Sequence, residues 1–211
     1  MVKLKPEFKV GGIVTAAGLS KRMGAFKPLL PLGSATVIEN TVKTLLDAGV
    51  KQVTVVTGYR KDEVESVLRK TFGERAAFVR NEHYRDTDML YSIRLALNAL
   101  QECDAFFLLP GDMPAVKAAT LELLKTAMHK EEASIPHVIF PEYGGRRGHP
   151  PLIPAELIPD IIAFDGGGGL RGFWQRHKDR MRTVTVMDEG IMTDLDTLQD
   201  YDELKDRYTG S

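Results

Sequence analysis

Apolar residues in this chain follow two rhythms, short continuous runs and helically spaced stripes, and the two alternate. Residues 10–17 (VGGIVTAA) form an apolar run closed by Gly18, which predicts a buried strand. Val37, Ile38, Val42, Leu45 and Leu46 then recur at helical spacing, with Gly49 placed to stop the helix. KQVTVVTG predicts a second strand, KDEVESVLRKTFG an amphipathic helix ended by Gly73, and AAFVRN a third strand. DMLYSIRLALNAL sets Leu90, Ile93, Leu97 and Leu100 on one helical face. DAFFLLPGDMP predicts a fourth strand with its exit loop, and AATLELLKTAMHK another helix. Strands alternating with helices at crossover spacing imply a mostly parallel twisted sheet with helices on both faces. The fold class is therefore α/β, a three-layer, Rossmann-like α/β/α arrangement.

The later pattern is less regular. HVIFPEYGGRRGHPPLI predicts two short strands around a glycine-arginine turn, a β-hairpin. PAELIPDIIAF and LRGFWQRHKD predict helices separated by DGGGG; RMRTVTVMDEG alternates as a strand, and DTLQDYDELKDRY closes the chain as a helix. No Pro/Ser-rich linker interrupts the sequence. The expectation is one domain over residues 1–211, with residues 140–180 forming a smaller substrate-facing section.

Composition narrows the function classes. A net charge of −1 over 211 residues gives no bulk electrostatic case for nucleic acid or an anionic membrane. No apolar run is long enough to cross a bilayer. The opening MVKLKPEFKV lacks the apolar core of a signal peptide, and the single cysteine, Cys103, suits a reducing cytosol. The expected location is cytoplasmic.

The candidate chemistry sits at strand exits. In open α/β sheets ligands bind beyond the carboxyl ends of the strands, so the exits of the first and fourth strands should face one crevice. Residues 17–27 supply Gly18, Arg22 and Lys27, and residues 110–114 supply Asp112. The first loop is neither a P-loop nor a G-x-G-x-x-G fingerprint. It reads either as a glycine-permitted anion site or as a solvated loop with two cations. Asp112 reads as a Mg²⁺ ligand or as the N-cap of the next helix. Asp194 and Asp196 share a side if their stretch is extended; the alternative is a cap on the last helix, helped by Thr197. His149, between Gly148 and Pro150, is either an acceptor contact or a hairpin histidine satisfied by backbone. Arg146, Arg147 and Arg171 are candidates for an acceptor phosphate, each weak alone. Trp174 fits the core better than a stacking platform, and His83, His129, His137 and His177 lack metal-ligand spacing.

Together these motifs resemble the molybdopterin nucleotidyltransferases, within the nucleotide-diphospho-sugar transferase superfamily. TAAGLSKRMGAFKPLLPL is similar to the N-terminal signature of the molybdenum cofactor cytidylyltransferases, with the guanylyltransferases next. LLPGDMP matches the family's metal-binding Gly-Asp-Met-Pro, GGRRGHPPLI its Arg-Gly-His-Pro segment, and DLDTLQDYDEL its ending. The chain departs from the pattern at Asp88, where the family carries glycine, and at Leu198, where it carries proline.

The resemblance implies that Ala16, Ala17 and Gly18 contact base and phosphates through the backbone, and that Arg22 and Lys27 hold a triphosphate. It places Thr15, Ser20, Gly58, Asn81, Ser92 and Gly111 against the nucleotide as well. Asp112 with Asp196, or else Asp194, would bind Mg²⁺, and Arg147, His149, Gly169 and Arg171 would meet the acceptor. The TAAG variant favours CTP over GTP. The implied reaction is an in-line transfer of CMP to the terminal phosphate of molybdopterin with loss of pyrophosphate. A molybdoenzyme or a cofactor-delivery protein would be the protein partner. Three alternatives stay open: another phosphorylated acceptor (a sugar, polyol or phosphonate), a glycosyltransferase of the same architecture, and a non-catalytic nucleotide-binding module.

Overall fold

The structure is a computed structural model and describes residues 8–19, 23–129 and 136–209. In chain order its elements are β1 (Val10–Ala16), β2 (Pro31–Leu32), β3 (Ala35–Thr36), α1 (Val37–Asp47), β4 (Val53–Thr57), α2 (Lys61–Phe72), β5 (Ala76–Arg80), α3 (Met89–Ala99), β6 (Ala105–Pro110) and α4 (Ala118–His129). There follow β7 (Val138–Tyr143), β8 (Arg146–Arg147), β9 (Leu152–Pro154), α5 (Ile158–Ala163), α6 (Gly169–Arg176), β10 (Met181–Thr185) and α7 (Leu198–Thr209). The main sheet has the order β10-β7-β9-β6-β1-β4-β5, with β8 paired to the outer end of β7. β1, β4, β5 and β6 are mutually parallel. β9 runs against both β6 and β7, and β10 runs with β7. Apart from β8 and β9, then, every strand of the main sheet ends at the same edge.

Alternation along the strands divides the core into two layers, as the period-2 geometry of strands requires. Val14, Val55, Phe107, Leu109 and Ile139 pack with Val42 and Leu45 of α1, Val64 and Leu68 of α2, and Leu121 and Leu124 of α4. Ile13, Val56, Phe106, Leu108 and Phe140 pack on the other face with Leu90, Ile93 and Leu97 of α3, Ile161 of α5 and Phe173 of α6. The three-layer α/β expectation is met. Trp174 packs edge-on to Phe140 and Phe173, with centroids 5.6 and 5.1 Å apart. A smaller cluster joins Leu204 and Tyr201 of α7 to Leu32, Val37, Leu195 and Met23. No helix among the described residues is long and apolar enough to cross a membrane.

Local chemistry sets the helix starts. Thr36 and Glu39 form a reciprocal capping box on α1. Asp88 Oδ1 accepts the Tyr91 N–H at 2.9 Å to cap α3. Asp112 does not cap α4: the buried Asp188 does that work, accepting from the Lys117 N–H at 2.9 Å and the Thr120 hydroxyl at 2.6 Å. At the start of α7, Thr197 and Asp200 cap each other. Thr197 Oγ1 accepts the Asp200 N–H at 3.2 Å, and Asp200 Oδ2 accepts the Thr197 N–H at 2.6 Å.

The antiparallel pairing expected around the glycine-arginine turn in residues 137–153 is present, since β7 runs against both β8 and β9. β7 and β8 do form a hairpin, through Glu142↔Arg147 and Tyr143↔Arg146, but its return arm is only two residues long. Past Gly148, the Pro150–Pro151 pair offers no N–H to extend that ladder. The chain instead re-enters the sheet as β9, between β6 and β7.

Candidate functional site

The exits of β1 and β6 lie side by side because the two strands pair in parallel up to Thr15↔Pro110. The contact continues beyond the ladder, where the Gly111 N–H donates to the Thr15 carbonyl at 2.9 Å. A side chain at 111 has no room: a Cβ there would lie 2.9 Å from Ile38 Cδ1 and 3.0 Å from the Thr15 carbonyl oxygen. The missing Cβ thus lets the Asp112 loop close against the loop that follows β1. Between these loops and the start of α3 lies a cavity of 380 Å³. That volume is within the range of small-molecule sites. Thr15, Ala16, Ala17, Gly18, Lys27, Asn81, Ser92, Gly111 and Asp112 all line it.

At one end the site is charged. Lys27 opens the short 3-10 turn Lys27–Leu29 and is 6% exposed. Its Nζ donates to Asp112 Oδ2 at 3.2 Å and to Asp196 Oδ1 at 3.0 Å. The two carboxylate loops are also tied through the backbone, since the Leu195 N–H donates to the Asp112 carbonyl at 3.1 Å. Asp196 is the late aspartate brought to Lys27. A tight turn, with the Asp196 N–H donating to the Asp194 carbonyl at 3.2 Å, breaks the extended geometry that would have aligned the two, and leaves Asp194 exposed. The Asp112 and Asp196 side chains are 28% and 33% exposed, and Asp112 lines the cavity. No group of three or more His, Cys, Asp or Glu able to hold a metal occurs among the described residues. Two carboxylates converging on one cation fit Mg²⁺, which takes one or two carboxylates and completes its shell with water and phosphate.

The other end is built on the turn after β5. Asn81 is buried, its amide donating to Thr87 Oγ1 and Ser92 Oγ at 3.0 Å each, while its carbonyl accepts the His83 N–H at 2.9 Å. Asn81 therefore holds the wall formed by Thr87 and Ser92. Tyr84, Thr87, Asp88 and Met89 line the cavity too. Pattern reasoning missed Tyr84, Thr87 and Met89 and noted Asp88 only as a departure from the family pattern; the polar NEHYRDTD run before a capped helix is the signal that could have found them.

Gly58 packs against two of the residues that line the cavity, Ala17 and Tyr84. A Cβ there would come within 2.7 Å of the Ala17 carbonyl oxygen and 2.9 Å of Tyr84 Cβ, so this glycine lets the Ala17 and Tyr84 walls close together. Ser20 and Arg22 lie outside the described residues.

The four acceptor-side candidates are dispersed. The backbone of His149 is pinned to Ile191, its N–H donating to that carbonyl at 2.9 Å, and its Nδ1 is buried without a hydrogen-bond partner. Burial lowers the pKa of His149 below the usual imidazole value; the Asp194 and Asp112 carboxylates and the Leu108 carbonyl oppose that shift. Arg147 is exposed, with its guanidinium 5.4 Å from the centroid of the Phe140 ring. Arg171 is exposed on α6. Gly169 begins α6 beside Asp88: a Cβ on it would sit 3.3 Å from Asp88 Oδ2. Arg94 of α3 bonds the Ile161 carbonyl at 3.4 Å and also the Phe164 carbonyl, which fixes α5 and the segment leading to α6.

A cavity with a glycine-loop wall, a lysine and two carboxylates at one end suits a nucleoside triphosphate. Comparison with known proteins agrees. Residues 12–181 match the MobA-like NTP transferase domain. The chain belongs to the MobA-like NTP transferase family. It is 28% identical over 197 residues to the molybdenum cofactor cytidylyltransferase of Escherichia coli (strain K12), spanning 93% of this chain and 96% of that protein. A nucleotidyl transferase from Methanothermobacter superposes with a TM-score of 0.81 at 29% identity, covering 96% of this chain and 98% of that one. A manganese complex of Rv0371C from Mycobacterium tuberculosis H37Rv gives 0.72 at 25% identity, covering 94% and 98%. This MobA-like chain is a nucleotidyltransferase, as its motifs suggested, and the glycosyltransferase and binding-module alternatives fall away.

Proposed function

We propose that this nucleotidyltransferase transfers CMP from CTP to the terminal phosphate of molybdopterin, releasing pyrophosphate, with Mg²⁺ as cofactor. The observation that carries the proposal is the Lys27 ammonium between Asp112 and Asp196 at one end of the cavity. The full-length likeness to a molybdenum cofactor cytidylyltransferase supports the acceptor and the base. Mg²⁺ held by Asp112 and Asp196 would neutralise charge on the triphosphate and its leaving group.

The chain's own part is placement. The Ala17–Gly18 backbone and Lys27 bind the phosphates and hold the α-phosphorus open to in-line attack. The nucleophile is a phosphate monoester, already largely ionised near neutral pH, so it needs no strong general base. Its approach is from the β7–β8 and α6 side, where Arg147 and Arg171 are exposed. The product then passes to a molybdoenzyme or a cofactor-delivery protein.

The test is pyrophosphate release from CTP, GTP, ATP and UTP with Mg²⁺, each against molybdopterin and a panel of phosphorylated sugars, polyols and phosphonates. Release is expected with CTP and molybdopterin. Release only with a different acceptor would replace molybdopterin, and none with any pair would refute the proposal.

A further inference from the structure

The cavity has two carboxylates in its lining, and only one has a cationic partner there. Asp112 is paired with Lys27. Asp88 stands on the rim, at the N-terminus of α3. The sheet order separates the two: Asp112 follows β6, on one side of β1, while α3 follows β5, two strands away on the other side. The triphosphate belongs at the Lys27 end, so the base belongs at the Asp88 end.

The hydrogen-bonding groups at that end are mostly consumed. Asn81 uses both its amide hydrogens and its carbonyl within the wall. Thr87 Oγ1 accepts from Asn81 and donates to the His83 carbonyl at 2.8 Å. The Ala17 carbonyl accepts the Tyr59 N–H at 3.3 Å. Three side-chain functions keep capacity among the described residues: the Tyr84 hydroxyl, which accepts from Arg85 Nε at 3.3 Å and retains its hydrogen, and those of Ser92 and Asp88. Ser92 Oγ accepts from Asn81 and keeps its own hydrogen to donate. Asp88 spends Oδ1 on the Tyr91 N–H, while Oδ2 has no hydrogen-bond or ion-pair partner among the described residues. Oδ2 faces Gly169, whose lack of a side chain leaves it uncovered. Among the described residues lining that end, Asp88 is therefore the anionic acceptor, with the Ser92 hydroxyl as a donor near it.

We propose that Asp88 is a base-selecting residue, its Oδ2 accepting a hydrogen bond from the exocyclic amino group of a cytosine while Ser92 donates to the ring's acceptor edge. Cytosine presents an amino donor beside acceptors, whereas uracil carries an oxygen in place of that amino group. The carboxylate thus meets a donor in CTP and a second acceptor in UTP. This selection rests on the nucleotide occupying the cavity as set out above.

The test is calorimetric binding of CTP, UTP and dCTP, with Mg²⁺ and without acceptor, to the wild-type protein and to D88N and D88S. Asparagine and serine are both good N-caps, so α3 keeps its start, and a thermal melt of each variant checks this. Wild type is expected to prefer CTP to UTP. Both variants should lose roughly tenfold or more of that preference, as expected for one charged hydrogen bond, with CTP:dCTP discrimination unchanged. If wild type discriminates and the variants keep its CTP:UTP ratio, Asp88 does not select the base, although the cavity still binds the nucleotide. A loss of CTP:dCTP discrimination alone would place Asp88 on the ribose and overturn the proposal. If wild type binds no nucleotide, the cavity assignment itself fails, and base selection by Asp88 fails with it.

Discussion

Replacing Lys27 with methionine removes the ammonium between Asp112 and Asp196 while keeping a side chain of similar length in the same buried channel. Two charge-assisted hydrogen bonds disappear, at 3.2 and 3.0 Å. Such bonds contribute about 1.5–3 kcal/mol each when well buried. Here the carboxylates are 28% and 33% exposed, so water compensates part of each loss and the low end applies. Burying the methionine where a charge stood offsets some of the remainder. A net destabilisation of about 2 kcal/mol is expected in the metal-free protein, which for a chain of this size lowers the Tm by roughly 4–8 °C. The two carboxylates would then repel one another, and a divalent cation would relieve that repulsion. Mn²⁺ should therefore raise the Tm of K27M by more than it raises that of wild type. Thermal melts in EDTA and in MnCl₂ at neutral pH measure both effects. If K27M melts with wild type in EDTA, or gains no more than wild type from Mn²⁺, the carboxylates are not held together by Lys27.

Other consequences follow from the same geometry. G111A would push a Cβ to 2.9 Å from Ile38 Cδ1 and 3.0 Å from the Thr15 carbonyl oxygen, so a loss of about 1–3 kcal/mol and weaker CTP binding are expected, read by urea unfolding and calorimetry. Glu65 is buried, and its pKa lies below the usual carboxylate value chiefly because the Arg80 guanidinium bonds it, against the opposing effect of burial. Its contribution to stability is then fully present above pH 4.5 and is lost as the pH falls through its lowered folded value. Unfolding free energy measured against pH should fall in that acid window for wild type and fall less for E65Q; identical slopes would show that Glu65 is not coupled to folding. Transfer activity should be abolished in D112A, and D112A retaining wild-type pyrophosphate release would remove Asp112 from the reaction.

The parallel half of the fold was legible because β1, β4 and β6 are largely buried and read as short apolar runs, alternating with amphipathic helices. The segment from 141 to 180 was harder for a physical reason. Gly148 packs where a Cβ would lie 2.4 Å from the Ile191 carbonyl oxygen, a long-range contact that local pattern does not encode, and β9 pairs with the distant β6 as well as with β7. In the site, Lys27 and Asp112 were visible as charges set at strand exits. The choice of Asp196 over Asp194 depended on a turn that spacing alone cannot reveal. Gly58 entered only through the resemblance, and its close contacts with Ala17 and Tyr84 depend on a long-range approach that local pattern does not encode. Asp88 was seen in the sequence only as a departure from a pattern; its free oxygen became apparent once Oδ1 was found capping α3.

The central claim is that the cavity binds a nucleoside triphosphate with its phosphates toward Lys27, Asp112 and Asp196. Calorimetric titration of CTP into wild type, D196N and D194N, each with Mg²⁺ and with EDTA, tests it most directly. The prediction is one CTP per chain with Mg²⁺, much weaker binding in EDTA, a comparable loss in D196N, and near wild-type affinity in D194N. Affinity indifferent to the divalent ion, or an equal loss in D194N and D196N, would contradict it.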